Sequence, residues 1–202
     1  MINIIFLLGE AGVGKDSVAE TFIEKGFTRV SFADALKKEF ANKNEIDVSI
    51  LHIQGKEKEK YRKKIIEFAE AARAIDPLIW LTKAFEPYIN PTTHSFKDGL
   101  KLVITDFRRN AEVEWYLKVW EEKMKLYFER NAKFSQLDLK LIHVIRPGIN
   151  DPDILTAHAI GMVYGIDLVH PGFIDAIINN DSTKEVLKEK VNNLLNSFNF
   201  DI

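Results

Sequence analysis

Cysteine is absent from the 202-residue chain. That excludes disulfides, thiolate nucleophiles, thiolate-bound zinc and iron–sulfur clusters. Histidine is scarce: His52, His94, His143, His158 and His170 never fall three or four apart, so no helical pair of metal-binding imidazoles exists. An excess of either charge is also missing, with 28 Lys+Arg against 30 Asp+Glu and a net charge of −2. A protein that covers nucleic acid along its length needs a strong basic excess, so no nucleic-acid partner is expected. Long apolar runs are lacking too. The first, Ile4 to Leu8, ends at Gly9, and no segment reaches the length of a membrane span or carries a basic leader. The expected setting is the cytosol, with no membrane partner.

Apolar residues make up 46% of the chain and charged residues 29%, the balance of one globular domain with a sizeable core. Residues 2–8 read as a buried strand, and 15–25 as a helix with Val18, Ala19, Phe22 and Ile23 on one face and Gly26 as its stop. Phe27 to Phe32 reads as a strand and Ala33 to Phe40 as a short helix opened by Asp34. After a polar stretch over 42–60, a long helix is expected from Glu59 to Ile75, with a stripe at Tyr61, Ile65, Phe68, Ala72 and Ile75. Pro77 breaks it, a shorter helix follows around Trp80 to Phe85, and 87–99 reads as loop.

Leu100 to Thr105 and Leu139 to Arg146 are further strands, separated by a long charged helix over 111–130. Residues 148–173 are irregular and rich in glycine and proline. A last strand, Asp175 to Asn179, precedes a last helix, Thr183 to Asn196. Strands alternating with helices predict an α/β fold with a mainly parallel sheet covered on both faces.

The sharpest local signal is Gly9-Glu-Ala-Gly12-Val-Gly14-Lys15, which matches G-x-x-x-x-G-K. Glycines let such a loop turn its backbone N–H groups inward around phosphates, and Lys15 reaches the terminal ones. The following helix presents its positive end to the same anion. An apolar strand before it and an amphipathic helix after it give the context of a phosphate-binding P-loop. Where that motif has Ser or Thr after the lysine, this chain has Asp16, with Ser17 next. Asp16 either holds Mg²⁺ directly or through water, or only favours the helix N-terminus electrostatically.

Asp106 follows the strand ending at Thr105, at the sheet edge where ligands gather, and is a candidate to organise Mg²⁺ through water. Arg108 offers a planar cation to a phosphate. Arg62 and Arg73 share one helical pattern. Their spacing turns a helix about 20° past three full circuits and advances roughly 16 Å, so both project from the same face. The lysine-rich run before them reads as a solvated helix start. Arg146 is either a lid cation that closes over the transferring phosphate or an ordinary surface arginine. Trp80 and Phe85 read as core, and His158 as a packing or surface residue.

Together these residues resemble the phage-type deoxynucleoside monophosphate kinases, within the P-loop kinase superfamily. The similar pieces are 14–19 (Gly-Lys-Asp-Ser-Val-Ala), 31–37 (Ser-Phe-Ala-Asp-Ala-Leu-Lys), Arg62 through Arg73 to Trp80, and 104–108 (Ile-Thr-Asp-Phe-Arg) with Glu112. Residues 142–148 (Ile-His-Val-Ile-Arg-Pro-Gly) and 178–181 (Ile-Asn-Asn-Asp) complete the set. The resemblance implies a single P-loop kinase domain with five parallel strands, a helical acceptor-binding lobe over 38–99 and a lid over 148–173. It implies transfer from Mg²⁺-ATP to a deoxynucleoside monophosphate, often by a homodimer, in a host cytoplasm if the source is viral.

Carried over by position, Asp34, Lys37, Arg62 and Arg73 line the acceptor site. Lys15, Arg108 and Arg146 neutralise the transferring group, and Asn180 lies near the ATP base; Asp16, Ser17 and Asp106 are the metal candidates of the residue-level reading. Two departures stand out: Ala69-Glu70 replaces the family's frequent Gly-Thr, and the lid lacks its frequent acidic residue. Kinases for other small acceptors, such as phosphomevalonate or dephospho-coenzyme A, fit the same residues. A non-catalytic nucleotide-binding module is the remaining alternative, and the absence of Asn-Lys-x-Asp counts against a guanine-reading switch.

Overall fold

The apolar run that opens the sequence forms β1 (Ile2–Leu8) at the centre of a five-stranded sheet. β2 (Thr28–Val30), β3 (Leu100–Phe107), β4 (Leu137–Ile145) and β5 (Ala176–Asn179) complete it in the order β2-β3-β1-β4-β5, and every pairing is parallel. The computed structural model describes residues 2–52, 56–89, 99–107, 112, 137–149 and 174–198. The helix expected over 111–130 lies outside these residues except for Glu112, as do residues 150–173 of the expected lid. The chain divides into two compact units, Met1–Val30 with Phe96–Ile202, and Ser31–Ser95. The second starts at Ser31, seven residues before the expected insertion at 38.

In the first unit, a parallel strand covered on both faces is mostly apolar, and Ile4 through Leu7 are fully buried, with the polar Asn3 buried beside them. Ile5 and Leu7 join a core with Val18, Ala19 and Phe22 of α1 (Lys15–Glu24) and Leu187, Val191 and Leu195 of α6 (Lys184–Ser197). Thr183 caps α6 by accepting from the Val186 N–H. The buried face of α1 differs from the expected one at two positions. Thr21 is buried, whereas Ile23 is 43% exposed.

Helix α1 stops as its sequence predicts. The Phe27 N–H donates to the Phe22 carbonyl and the Gly26 N–H to the Ile23 carbonyl, with Gly26 at φ +85°. This is a Schellman ending, and the Phe22 and Phe27 rings meet edge to face, 5.5 Å apart, as its hydrophobic clasp.

The second unit is helical: α2 (Phe32–Lys43), α3 (Ser49–His52), α4 (Lys56–Ile75) and α5 (Ile79–Ile89). Ser31, not Asp34, opens α2, because the Ser31 hydroxyl accepts the Asp34 N–H at 3.3 Å. Asp34 stands in the first turn, where its charge suits the positive end of the helix. Tyr61, Ile65 and Phe68 of α4 pack on Phe40, Ala41 and Leu51. Ile75 breaks the expected stripe and is 89% exposed, whereas Ala69 is buried under Trp80, whose indole N–H donates to the Ala69 carbonyl at 3.3 Å. α5 runs past Phe85 with Pro87 inside it. Proline has no N–H to donate, so the Lys83 carbonyl one turn earlier lacks its helical donor. Among the described residues no helix is long and apolar enough to cross a membrane.

Candidate active site

The loop from Gly9 to Gly14 leaves the carboxyl end of β1, the edge at which open parallel sheets bind ligands. Two of its glycines are dictated by space as well as conformation. Gly9 has φ +146°, and a Cβ there would run into the Val144 carbonyl oxygen of β4. Gly14 has φ +95°, caps α1, and faces the side-chain amide of Asn180. Turning N–H groups inward leaves loop carbonyls that need donors. The Lys15 ammonium donates to the carbonyls of Gly9 (2.6 Å) and Glu10 (2.7 Å), and Asn180 Nδ2 donates to that of Val13 (2.8 Å). Asn180 is itself pinned to the sheet by its N–H, which donates to the Ile145 carbonyl at 2.8 Å.

Asp16 and Ser17 begin α1 directly after Lys15. The Asp16 carboxylate is exposed and lies 3.5 Å from the Arg29 guanidinium, a surface pair that adds little to stability. Asp106 lies within β3, which runs on to Phe107, and not beyond the strand end. A register shift between Phe6 and Leu8 pairs Leu8 with Phe107, so Asp106 stands at the carboxyl edge beside the start of the loop. Among the described residues no three His, Asp or Glu side chains gather as a complete metal cage. A Mg²⁺ carried by phosphates needs none, since one or two protein oxygens and water complete its shell. Asp16, Ser17 and Asp106 carry oxygens of the kind such an ion takes.

Beside the loop is a cleft of about 340 Å³ lined by residues that include Glu10, Val13, His143, Arg146, Ile149 and Asn179. Arg146 opens the turn that follows β4, where its carbonyl accepts the Ile149 N–H across Pro147-Gly148. The sequence reading named Arg146 and missed both His143 and Glu10. Burial pushes the His143 imidazole below the usual histidine range; Glu10 opposes that shift and Lys15 adds to it. The available signal was its position three residues before Arg146 on the strand next to β1. Arg108 lies outside the described residues, as does His158.

The proposed acceptor residues all belong to the helical unit. Lys37 Nζ donates to Asp34 Oδ1 at 3.2 Å and meets His52 Nδ1 at 3.5 Å, while His52 Nδ1 stands 3.6 Å from Asp34 Oδ1. Arg62 and Arg73 share α4 as expected, and each is held by the glutamate one turn earlier. Arg62 donates to Glu59 at 3.2 Å and Arg73 to Glu70 at 2.8 Å. Their exposures differ: 68% for Arg62 and 19% for Arg73. His52 had no sequence signal, because the four-residue helix that carries it lies in a stretch read as polar.

The sequence profile of the phosphomevalonate kinase family matches residues 7–122. The chain belongs to that family. A Drosophila melanogaster member, described as phosphomevalonate kinase, is 25% identical over 123 residues, which cover 59% of this chain and 62% of that relative. The match thus takes in less than two thirds of the relative's length. Among solved structures, TT1252 from Thermus thermophilus aligns over 98% of this chain and 99% of its own, at 12% identity and a TM-score of 0.46. Dephospho-CoA kinase from Campylobacter jejuni aligns over 98% of each chain, at 14% identity and a TM-score of 0.39. The family profile covers the whole phosphate loop, the acceptor candidates of α2 and α4, and Asp106. Arg146 and Asn180 lie beyond it.

Proposed function

We propose that the protein is an ATP-dependent kinase acting on a small, already phosphorylated acceptor, with phosphomevalonate as the first candidate. The observation that carries this reading is the family match over residues 7–122, which joins the loop around Lys15 to Asp34, Lys37, Arg62 and Arg73 in one matched stretch. The loop N–H groups and the positive end of α1 hold the donor phosphates, with Lys15 on the terminal ones. Asn180, at the edge of the same loop, borders the ATP base. Mg²⁺, when bound through Asp16, Ser17 and Asp106, neutralises charge on the donor phosphates.

The chemistry asks little covalent work of the protein. An acceptor phosphate is largely ionised at neutral pH, so its oxygen attacks the γ-phosphorus with no proton to remove. One P–O bond forms to the acceptor as the P–O bond to ADP breaks, and no general base is needed. What is needed is alignment, neutralising charge and exclusion of water. Asp34, Lys37, Arg62 and Arg73 are assigned to the acceptor, and Lys15, Arg108 and Arg146 to neutralising charge on the transferring group. Residues 148–173, expected from the sequence as a lid, are the candidates for excluding water.

A deoxynucleoside monophosphate is the second acceptor, favoured by the motifs at 14–19, 31–37 and 104–108. One assay separates these readings: ADP release with Mg²⁺-ATP alone, then with phosphomevalonate, dephospho-coenzyme A and each deoxy- and ribonucleoside monophosphate. Strong stimulation by phosphomevalonate is expected. Stimulation only by deoxynucleotides reassigns the acceptor. Tight ATP binding with no stimulation by any of them removes the kinase reading in favour of a binding module.

A further inference from the structure

β1 and β4 run in register with Leu8 opposite His143. His143 therefore stands beside the residue that leads into the phosphate loop. At this point the loop lies directly on β4, since Gly9 leaves no room for a Cβ against the Val144 carbonyl. Glu10, His143 and Arg146 line one cleft. Two charges of opposite sign reach the imidazole from the loop: the Glu10 carboxylate favours its protonation and the Lys15 ammonium opposes it. Burial, the largest influence, also favours the neutral ring. On the other side, β5 sets the uncharged Ile177 opposite His143, and in the turn directly after β4 Arg146 is the cation that shares the cleft.

A carboxylate at the mouth of an anion-binding loop repels the anion unless a positive charge offsets it. We propose that His143 is a positioning residue of the phosphate loop: it takes up a proton from solvent when a polyphosphate fills the loop, and as imidazolium it offsets Glu10 beside the bound anion. The inference rests on the loop being a nucleotide site. A bound polyphosphate adds negative charge near the ring and so favours its charged form. By linkage, protonation then strengthens polyphosphate binding by the same factor. As pH rises through the value of the bound state, that gain is lost, so binding weakens from mildly acidic to alkaline solution.

The test follows histidine ring protons by NMR as a function of pH, with and without Mg²⁺-ATP, and assigns His143 by the signal missing in His143→Gln. Its midpoint is expected to rise by about one unit on Mg²⁺-ATP binding. In Glu10→Gln, which keeps all five histidines, the His143 midpoint in the free protein is expected to fall. Kinetically, His143→Gln should raise the KM for ATP several-fold at pH 6.5, approach the parent protein at pH 8.5, and leave kcat nearly unchanged. A His143 midpoint that stays put while Mg²⁺-ATP binds overturns this inference alone. Failure of Mg²⁺-ATP to bind overturns it together with the kinase reading.

Discussion

Asn180 and Val13 are 167 positions apart in the chain, and the Asn180 side-chain amide donates to the Val13 carbonyl at 2.8 Å. The junction between β5 and α6 thereby pins the Gly9–Gly14 loop at Val13. Asn180→Ala leaves that carbonyl without this donor, at a cost of about 1 kcal/mol. The expected result is a several-fold rise in the KM for ATP with a smaller change in kcat. Asn180→Asp, which sets a carboxylate against a carbonyl oxygen, should be worse than Ala. Steady-state kinetics on the two variants check the point, and an Asp variant as good as the parent protein would rule out the contact.

Gly9 and Gly26 both adopt positive φ but differ in their surroundings. Nothing lies within 4 Å of a Cβ built on Gly26, whereas one on Gly9 meets the Val144 carbonyl. Gly26→Ala should cost about 1 kcal/mol from backbone strain and leave ATP kinetics unchanged. Gly9→Ala should cost more and abolish nucleotide binding, because the loop has to leave β4. Urea denaturation and ATP titration of both variants separate local strain from loss of the site.

Arg62 and Arg73 share a helix and the same pairing with a glutamate, but Arg73 is the more buried. Arg73→Ala should remove stem packing worth about 1 kcal/mol and raise the KM for the acceptor. Arg62→Ala should raise that KM too, with stability within about 0.5 kcal/mol of the parent protein. Neither should move the KM for ATP. An effect of both on ATP and none on the acceptor would put these arginines on the donor side.

Lys190 donates to the Asp181 carboxylate at 2.7 Å and to the Asn179 carbonyl at 2.8 Å. The first contact holds the Asp181 carboxyl below its usual range. A carboxyl lowered in the folded state contributes stability above its unfolded value, and that contribution is lost as pH falls through the folded value. The Tm difference between the parent protein and Lys190→Met should therefore be largest near neutral pH and narrow below about pH 4. Thermal melts from pH 7 down to pH 2 measure it. A gap independent of pH would assign the whole effect to the Asn179 carbonyl.

The parts of this fold that the sequence made legible are those decided within a few residues. Strand β1 announces itself because both its faces are covered, and the loop after it because close approach to β4 and Asn180 demands glycine. The end of α1 is equally local, set by Gly26 and the Phe22–Phe27 clasp. What escaped depends on distant neighbours. Ile23 and Ile75 continue apolar patterns but stay exposed among the described residues, which periodicity alone does not foresee. Ser31 was overlooked as a cap because Asp34, three residues on, is an equally good capping type. In the candidate site, Lys15 and its glycines were readable from spacing, whereas His143 acquires its place only through the β1–β4 register. His52 reaches Asp34 and Lys37 through a four-residue helix too short to leave a pattern.

The order of the sheet carries a consequence for how the chain comes off the ribosome. β1 is made first but occupies the middle, and its partners begin at Leu100 and Leu137. Until β3 has emerged, the apolar run from Ile4 to Leu8 has neither of its flanking strands to pair with. Such long sequence separation slows folding and leaves sticky surface open to other chains. Nascent chains halted before residue 100 should therefore bind chaperones or aggregate, and solubility should return only once both flanking strands are complete.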